Sequence, residues 1–185
     1  MAYLLYTQRQ QVASGAEDVA SGLESGVEDV TAAVSGWPSV NQGPKWVPVL
    51  NAVENQLAIP PNLLARIAYQ ESRFRQDIID GTTKSPAGAL GLMQLMPNYF
   101  DTVRVPLPFT DSDTAAQIQQ AGLNLVKLYN HYSDWGLAIA AYNDGQGNID
   151  SYVAGTRTTA LPAETINYVS QVLTDVPITG ATMLA

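Results

Sequence analysis

The spacing of apolar residues from Trp46 onward restricts the fold of this chain more than any other feature. Trp46, Val49 and Leu50 recur at steps of three and four residues, which places them on one face of a helix. Similar spacing continues to about residue 176, and no segment alternates with a period of two for long. The sequence therefore predicts an all-α domain over residues 46–176, followed by a tail at residues 177–185.

Proline and glycine positions divide this domain into helical segments. Pro48 is tolerated only in a first turn, so the first helix is expected to begin close to Trp46. Pro60 and Pro61 end that helix and start the second, after which a loop rich in Gly, Ser and Thr follows. Later helices are expected from Asp111 or Asp113 to about Tyr132, and at residues 135–142, 149–153 and 162–176.

Residues 1–36 have a different pattern from the rest of the chain. The hexapeptide at residues 14–19 recurs in nearly the same form at residues 25–30, a period of 11 residues, and the apolar residues of this segment share one helical face. Four glycines weaken such a helix. The pattern predicts an N-terminal amphipathic helical arm that needs a partner surface, with a weakly structured arm as the alternative. A Pro- and Gly-rich linker is expected at residues 37–45.

The side-chain inventory excludes several classes of chemistry. The 185 residues contain no cysteine and one histidine, His131. Disulfides, Cys-ligated metals and thiol nucleophiles are therefore excluded, and a His-based metal cluster cannot form. We expect neither a metal nor a cofactor.

The charge balance bears on the partners of the chain. A net charge of −8 argues against nucleic acid as the main partner. Of the basic residues after position 46, four lie close together in the sequence, which predicts a local positive patch: Arg66, Arg73, Arg75 and Lys84. Simple neutralisation of nearby acidic residues is the alternative.

Neither a membrane span nor a standard export signal is expected. The longest uncharged apolar run, residues 137–142, is far shorter than the ~20 residues that a spanning helix needs. The apolar run at residues 2–6 has no basic residue before it, and no convincing cleavage site follows.

Glu71 is the residue with the clearest chemical implication. It lies four residues after Ile67 and three after Ala68, which places its carboxyl on the apolar face of its helix, close to the C-terminal end. Burial raises the pKa of a carboxyl, and a carboxylic acid that keeps its proton can act as a general acid. An ion pair with Arg75, four residues later, is the alternative interpretation.

Two further segments carry polar groups in glycine-containing contexts. Gly88 and Gly91 allow close approach of a backbone, and Gln94 can both donate to and accept from a sugar. Tyr142 and Asn143 end a buried helix and are expected to face a cleft, although a simple helix stop is the alternative. A calcium loop at residues 142–153 is rejected, because its first and twelfth positions lack side-chain carboxylates.

Four short motifs, taken together, resemble the soluble lytic transglycosylase family. They are Glu-Ser-Arg-Phe at residues 71–74, the segment from Ser85 through Gly-Leu-Met-Gln-Leu-Met-Pro at residues 91–97, Ala-Tyr-Asn at residues 141–143, and residues 164–169. They occur in the family's order. The resemblance implies a lysozyme-like α-helical fold and cleavage of the MurNAc–GlcNAc β-1,4 bond of peptidoglycan.

The resemblance also implies roles for individual residues. Glu71 matches the family's single acid/base, and Asp144 stands where the family usually has a small residue. A second departure is the segment between Glu71 and Ser85, which is longer than usual. The residues that match substrate-binding or motif positions are Ser72, Ser85, Met93, Gln94, Tyr142, Asn143 and Tyr168.

The implied mechanism uses one carboxylate and yields a 1,6-anhydro sugar without consuming water. A goose-type lysozyme that hydrolyses with water is the nearest competing enzyme, and Asp77, Asp80 and Asp144 are the candidates for its second carboxylate. A structural role, with glycan binding secondary, is a further alternative. The arm at residues 1–36 resembles that of enzymes carried in bacteriophage particles. We therefore expect a virion protein acting at the bacterial cell wall, with a periplasmic secretion-complex enzyme as the alternative.

Overall fold

The structure, a computed structural model, describes residues 43–97 and 106–184. Within these ranges the only β pairing is an isolated antiparallel bridge between Leu90 and Leu95, so the predicted all-α class is confirmed. The arm at residues 1–36 and most of the linker lie outside the described residues. The described helices are α1 (Gly43–Leu57), α2 (Leu63–Ser72), α3 (Gln76–Ile79), α4 (Asp111–Tyr132), α5 (Trp135–Asp144), α6 (Gln146–Val153) and α7 (Ala163–Asp175).

Two helix starts differ from the sequence prediction. Helix α1 begins at Gly43, so Pro48 lies beyond its first turn, and the expected start near Trp46 was wrong. Helix α6 begins at Gln146, three residues before the expected start, because Gly145 with φ of 89° ends α5 and leads directly into the next turn. The short helix α3 was not predicted, since four residues are too few for a periodic pattern.

The described residues divide into two compact units, one ending at Gly122 and the other beginning at Leu123, a boundary that falls within the residue range of α4. In the first unit α1 packs against α2. The apolar face predicted for α1 is buried at Trp46, Val49 and Leu50; it continues to Val53, which is also buried, and to Leu57, which is half-exposed. Helix α2 is buried on all sides along Leu63–Tyr69, as a short helix at the centre of a core must be.

In the second unit α5 packs against both α6 and α7. The C-terminal tail also packs within this unit. Thr182 donates its backbone N–H and its hydroxyl to the Asp134 carboxylate at the start of α5, and Leu184 is buried. Tail and helix approach so closely at Gly136 that a Cβ there would overlap the Thr182 carbonyl oxygen.

No helix in the described ranges is long and apolar enough to span a bilayer.

Candidate functional site

The end of helix α2 carries Glu71 and is shaped by a tight left-handed turn. Arg73 and Phe74 both have positive φ, 51° and 50°, a conformation that is costly for residues other than glycine. Ser72 supports this turn, because its hydroxyl donates to the Ala68 carbonyl at 2.9 Å and accepts the Phe74 N–H at 3.2 Å. Ser72 is fully buried, which favours a structural role over contact with substrate.

Glu71 is half-buried at the second-last position of α2. The alternative of a helical Glu71–Arg75 pair loses its geometric basis, because α2 ends at Ser72 and the chain turns away before Arg75. The Arg75 guanidinium instead binds Asp77 with two hydrogen bonds, of 3.1 and 2.6 Å.

The other end of α2 is bound by a carboxyl from α1. The Glu54 side chain accepts the backbone N–H groups of Asn62 at 2.7 Å, Leu64 at 2.7 Å and Ala65 at 3.1 Å. Glu54 is 2% exposed, and this burial raises its pKa to about 7 although the three N–H donors lower it. Its role as acceptor for a helix N-terminus makes it a structural group rather than a second acid facing solvent.

The segment at residues 85–95 forms a compact loop built from its own hydrogen bonds. The Ser85 hydroxyl accepts the Ala89 N–H at 2.9 Å, and the Leu90–Leu95 bridge closes the loop. Gln94 has φ of 45° and donates its side-chain amide to the Gly91 carbonyl at 2.9 Å. Ser85 and Gln94 remain half-exposed, whereas Met93 is fully buried and belongs to the core below the loop.

Gly91 is required by close packing against α4. A Cβ at this position would overlap the Gln117 side-chain oxygen, and the φ of 78° also favours glycine. Gln117 is fully buried, and neither polar atom of its amide has a hydrogen-bond partner. Because it packs against Gly91, the Gln117 side chain lies directly beneath the loop that carries Gln94.

Two candidate second carboxylates, Asp77 and Asp80, belong to one braced loop. Asp77 is bound by Arg75 and accepts the Thr83 hydroxyl at 2.8 Å, contacts that lower its pKa. Asp80 accepts both the N–H and the hydroxyl of Thr82, at 3.0 and 2.8 Å. Each carboxylate thus holds the longer segment between Glu71 and Ser85 in shape.

The local positive patch predicted from the sequence has fewer available charges in the folded chain. Arg66 is buried, with its guanidinium 4.9 Å from the Tyr69 ring centroid, and Arg75 is paired with Asp77. Arg73 is exposed and packs on the Tyr69 ring at 4.5 Å, and Lys84 is exposed. Folding therefore removes Arg66 from the surface and neutralises the exposed Arg75, which leaves Arg73 and Lys84 to attract an anion.

In the second unit, Tyr142 and Asn143 lie half-buried in the last turn of α5. Asp144 follows them, and its carboxylate is 3.3 Å from the Arg157 guanidinium, with both side chains largely shielded from solvent. The Asn148 amide also donates to Asp144, at 3.2 Å. The charge that Asp144 adds to this motif is therefore compensated locally.

Tyr168 lies half-buried on α7. The single histidine lies elsewhere, at the end of α4, where His131 and Tyr132 both contact the Asp150 carboxylate of α6 at 2.8 Å. The hydrogen bonds from Tyr132 and His131 lower the pKa of Asp150, whereas burial, together with the contact to Asp150, raises the pKa of Tyr132. These hydrogen bonds connect α4 and α6 within the second unit.

The predicted site residues fall into two groups. The first unit holds Glu71, Ser72, Ser85, Met93 and Gln94, on the end of α2 and on the loop that follows α3. The second unit holds Tyr142, Asn143 and Tyr168, on α5 and α7. Within the described ranges no group of three or more His, Asp or Glu side chains could hold a metal ion.

Sequence reasoning missed three residues that shape these groups. Glu54 was detectable, because it lies four residues after Leu50 on the apolar face of α1, the same argument that identified Glu71. Gln117 and Arg157 carried no such signal. Gln117 stands among other glutamines on a helix, and Arg157 lies 13 residues after Asp144.

Comparison with known proteins assigns the chain. The family model described as the transglycosylase SLT domain matches residues 48–162. The chain belongs to this family. The match includes Glu71, the loop at residues 85–95 and Tyr142, and it ends before Tyr168.

A solved structure agrees with this assignment at the level of the fold. The SLT domain described here is similar to the lytic transglycosylase Slt from Pseudomonas aeruginosa, solved as an inactive mutant in which a glutamate is replaced by glutamine. The similarity has a TM-score of 0.55 and 24% sequence identity, and covers 79% of this chain and 26% of that chain. This chain therefore spans about a quarter of the length of that protein, and the likeness shows the lysozyme-like fold.

Proposed function

We propose that this protein is a peptidoglycan lytic transglycosylase that cleaves MurNAc–GlcNAc β-1,4 bonds with Glu71 as its single acid/base. The observation that carries the proposal is the placement of Glu71. It lies within the matched SLT domain, half-buried, in a helix end whose strained turn is held by Ser72. The related Slt structure is described as inactive with one glutamate changed to glutamine, which is consistent with one essential carboxyl.

The proposed reaction needs two proton transfers, both through Glu71. Glu71 donates its proton to the glycosidic oxygen as the bond from that oxygen to the MurNAc C1 breaks. The substrate's own N-acetyl group stabilises the positive charge at C1. Glu71 then takes the proton of the MurNAc O6 hydroxyl as O6 bonds to C1, which forms the 1,6-anhydro ring and restores the acid. No water is consumed.

The contacts of the other acidic groups support a single-carboxylate mechanism over hydrolysis. Inverting and retaining glycosidases need a second carboxylate that can reach a water or the sugar. Asp144 is paired with Arg157 and largely shielded, and Asp77 is bound by Arg75 and Thr83. The Asp80 carboxylate accepts two hydrogen bonds from Thr82. Each of the three candidates therefore already serves the local structure.

Mass spectrometry of the products released from purified peptidoglycan tests the proposal. A transglycosylase releases muropeptides with 1,6-anhydro-MurNAc ends, which are lighter by one water than the reducing ends that a lysozyme leaves. Reducing ends as the main product would replace the proposal by the goose-type lysozyme. Absence of any product, with glycan binding retained, would favour the structural role.

We further propose that the enzyme is delivered to the cell wall as part of a bacteriophage particle, with residues 1–36 contacting another particle protein. The 11-residue repeat and the single apolar stripe of this segment support it, because such a stripe needs a partner surface. Detection of the protein in purified particles, and its loss when residues 1–36 are deleted, tests this. Export of the free protein to the periplasm would instead support the secretion-complex alternative.

A further inference from the structure

Helix α2 begins without a cap of its own. Asn62, the residue before the helix, has a left-handed backbone with φ of 67°, and its side chain makes no capping hydrogen bond. The first N–H groups of a helix have no partner inside that helix, so a buried N-terminus needs acceptors from elsewhere. This requirement is strict here because Leu63, Leu64 and Ala65 are all buried.

Glu54 of α1 supplies those acceptors. One carboxyl oxygen accepts the Asn62 N–H at 2.7 Å, and the other accepts the N–H groups of Leu64 at 2.7 Å and Ala65 at 3.1 Å. The side chain is 2% exposed, so water does not compete for these bonds. A single carboxyl therefore satisfies three backbone donors at the entry to the helix.

Helix α2 is thus fixed at both ends by side chains. Glu54 holds the N-terminus, and the Ser72 hydroxyl holds the C-terminal turn next to Glu71. The helix has only ten residues, so a tilt or shift at one end is transmitted to the other. The position of the Glu71 carboxyl consequently depends on a contact made at the opposite end of the helix.

We propose that Glu54 is a positioning residue for the acid/base, holding α2 so that the Glu71 carboxyl is aligned with the glycosidic oxygen. The inference rests on the proposed function of Glu71. It adds a second glutamate on which turnover depends, and that glutamate contacts the backbone of α2 rather than the substrate. A displacement of about 1 Å in a catalytic group costs up to about 100-fold in rate, so loosening this contact is expected to reduce turnover.

Glu54→Gln tests the geometry with the smallest change in shape. Glutamine keeps one acceptor oxygen and replaces the other with an NH₂ donor, which cannot accept an N–H. Hydrogen–deuterium exchange followed by mass spectrometry should show faster exchange in the peptide that covers residues 62–72. Exchange in peptides from α5 and α7 should remain as in the wild type.

Kinetics on a soluble, uncross-linked glycan oligomer give the functional readout. Glu54→Gln is expected to lower kcat by about 10- to 100-fold and to change KM by less than about twofold, because the carboxyl touches no substrate. Leu125→Ala, a fully buried change on α4, is the control for general loss of stability. Compared below the melting temperatures of both variants, this control should keep the wild-type kcat.

Defined outcomes overturn the proposal. It fails if exchange in residues 62–72 is unchanged, or if exchange rises while kcat stays at the level of the Leu125→Ala control. If Glu54→Gln does not fold, Glu54→Asp gives the same two readouts with the carboxylate retained but one methylene shorter. A wild-type enzyme that yields no anhydro product would instead overturn the proposed function, and the exchange measurement would still decide whether Glu54 caps α2.

Discussion

At the scale of single residues, two glutamates on neighbouring helices have opposite environments and uses. Glu54 is buried and accepts three backbone N–H groups, whereas Glu71 is half-buried at a helix end that reaches solvent. Glu54, the buried carboxyl whose pKa is raised to about 7, is therefore the structural one. Perturbation of a pKa marks a functional group only when the group can also reach a substrate.

Glu71→Gln is expected to keep the fold and lower wall lysis by at least about 100-fold, the lower end of the contribution of a general acid. Turbidity loss of purified peptidoglycan and a zymogram measure the effect. Asp144→Asn is the matched comparison, because it removes a carboxylate that is already paired with Arg157. Equal loss of activity in both variants would favour a two-carboxylate hydrolase.

The raised pKa of Glu54 predicts a pH dependence of stability. Folding raises this pKa from 4.5 to about 7, so the folded state binds the proton more tightly than the unfolded state. Its favourable contribution is complete below pH 4.5, decreases as the pH rises, and is lost above about pH 7; the total is on the order of 3 kcal/mol. Glu54→Gln should make the melting temperature depend less on pH between these two values. If the melting temperature of Glu54→Gln changes with pH as steeply as that of the wild type, the pH dependence does not come from Glu54.

At the scale of elements, long-range contacts at helix ends decide how each motif is held. Helix α2 depends on α1 at its start, and α5 depends at its start on the tail, through the bonds between Asp134 and Thr182. These three hydrogen bonds from Thr182, together with those from the backbone of α5, hold the pKa of Asp134 below its usual range despite partial burial. In both helices the start is held by these contacts, and the C-terminal end carries residues of a family motif.

Gly136→Ala is expected to detach the tail or shift α5, because the added methyl would overlap the Thr182 carbonyl oxygen. We expect a loss of about 1–3 kcal/mol in the free energy of unfolding and faster proteolysis of residues 177–185. Gly147→Ala is the control, since a methyl group added there would have no atom within 4 Å and the helix propensity of alanine is higher. If Gly136→Ala leaves the free energy of unfolding unchanged, the contact between the tail and α5 adds no stability.

The exposed pair Arg73 and Lys84 is expected to attract the carboxylates of the peptidoglycan peptides. Replacing both with glutamine should raise KM more than it lowers kcat, because long-range attraction acts mainly on association. Arg75→Gln is the comparison, since Arg75 is already neutralised by Asp77. Kinetics on a soluble muropeptide oligomer, measured at two salt concentrations, would show an unchanged KM if the two cations only compensate nearby acids.

At the scale of the whole molecule, the matched domain and the N-terminal segment are expected to separate in function. The SLT match begins at residue 48, and every residue proposed for chemistry follows it. The chain carries a net charge of −8, which opposes binding to an anionic wall and leaves recognition to local contacts.

Deleting residues 1–36 is expected to leave a folded domain with near-normal activity on purified peptidoglycan. The physical reason is that a single apolar stripe interrupted by four glycines adds little stability by itself. Circular dichroism and the product assay measure the outcome. A truncated chain that fails to fold would show that this segment packs on the catalytic domain.

The sequence by itself determined the features that depend on local spacing and residue type. Apolar periodicity predicted helices α1, α2, α4, α5 and α7, and the order of short motifs predicted the family. The exclusion of thiol chemistry followed from composition. Each of these properties depends on the spacing, order or number of residues along the chain, so no knowledge of long-range contacts was needed.

Only the tertiary structure decided which polar groups serve the fold and which remain for chemistry. The Glu54 cap, the Asp144–Arg157 pair and the packing of Gln117 beneath Gly91 all join residues that are separated along the chain. A carboxyl on an apolar helix face looks the same in sequence whether it caps a neighbouring helix or acts as an acid. The distinction depends on the partners that surround it after folding, and burial makes those partners obligatory.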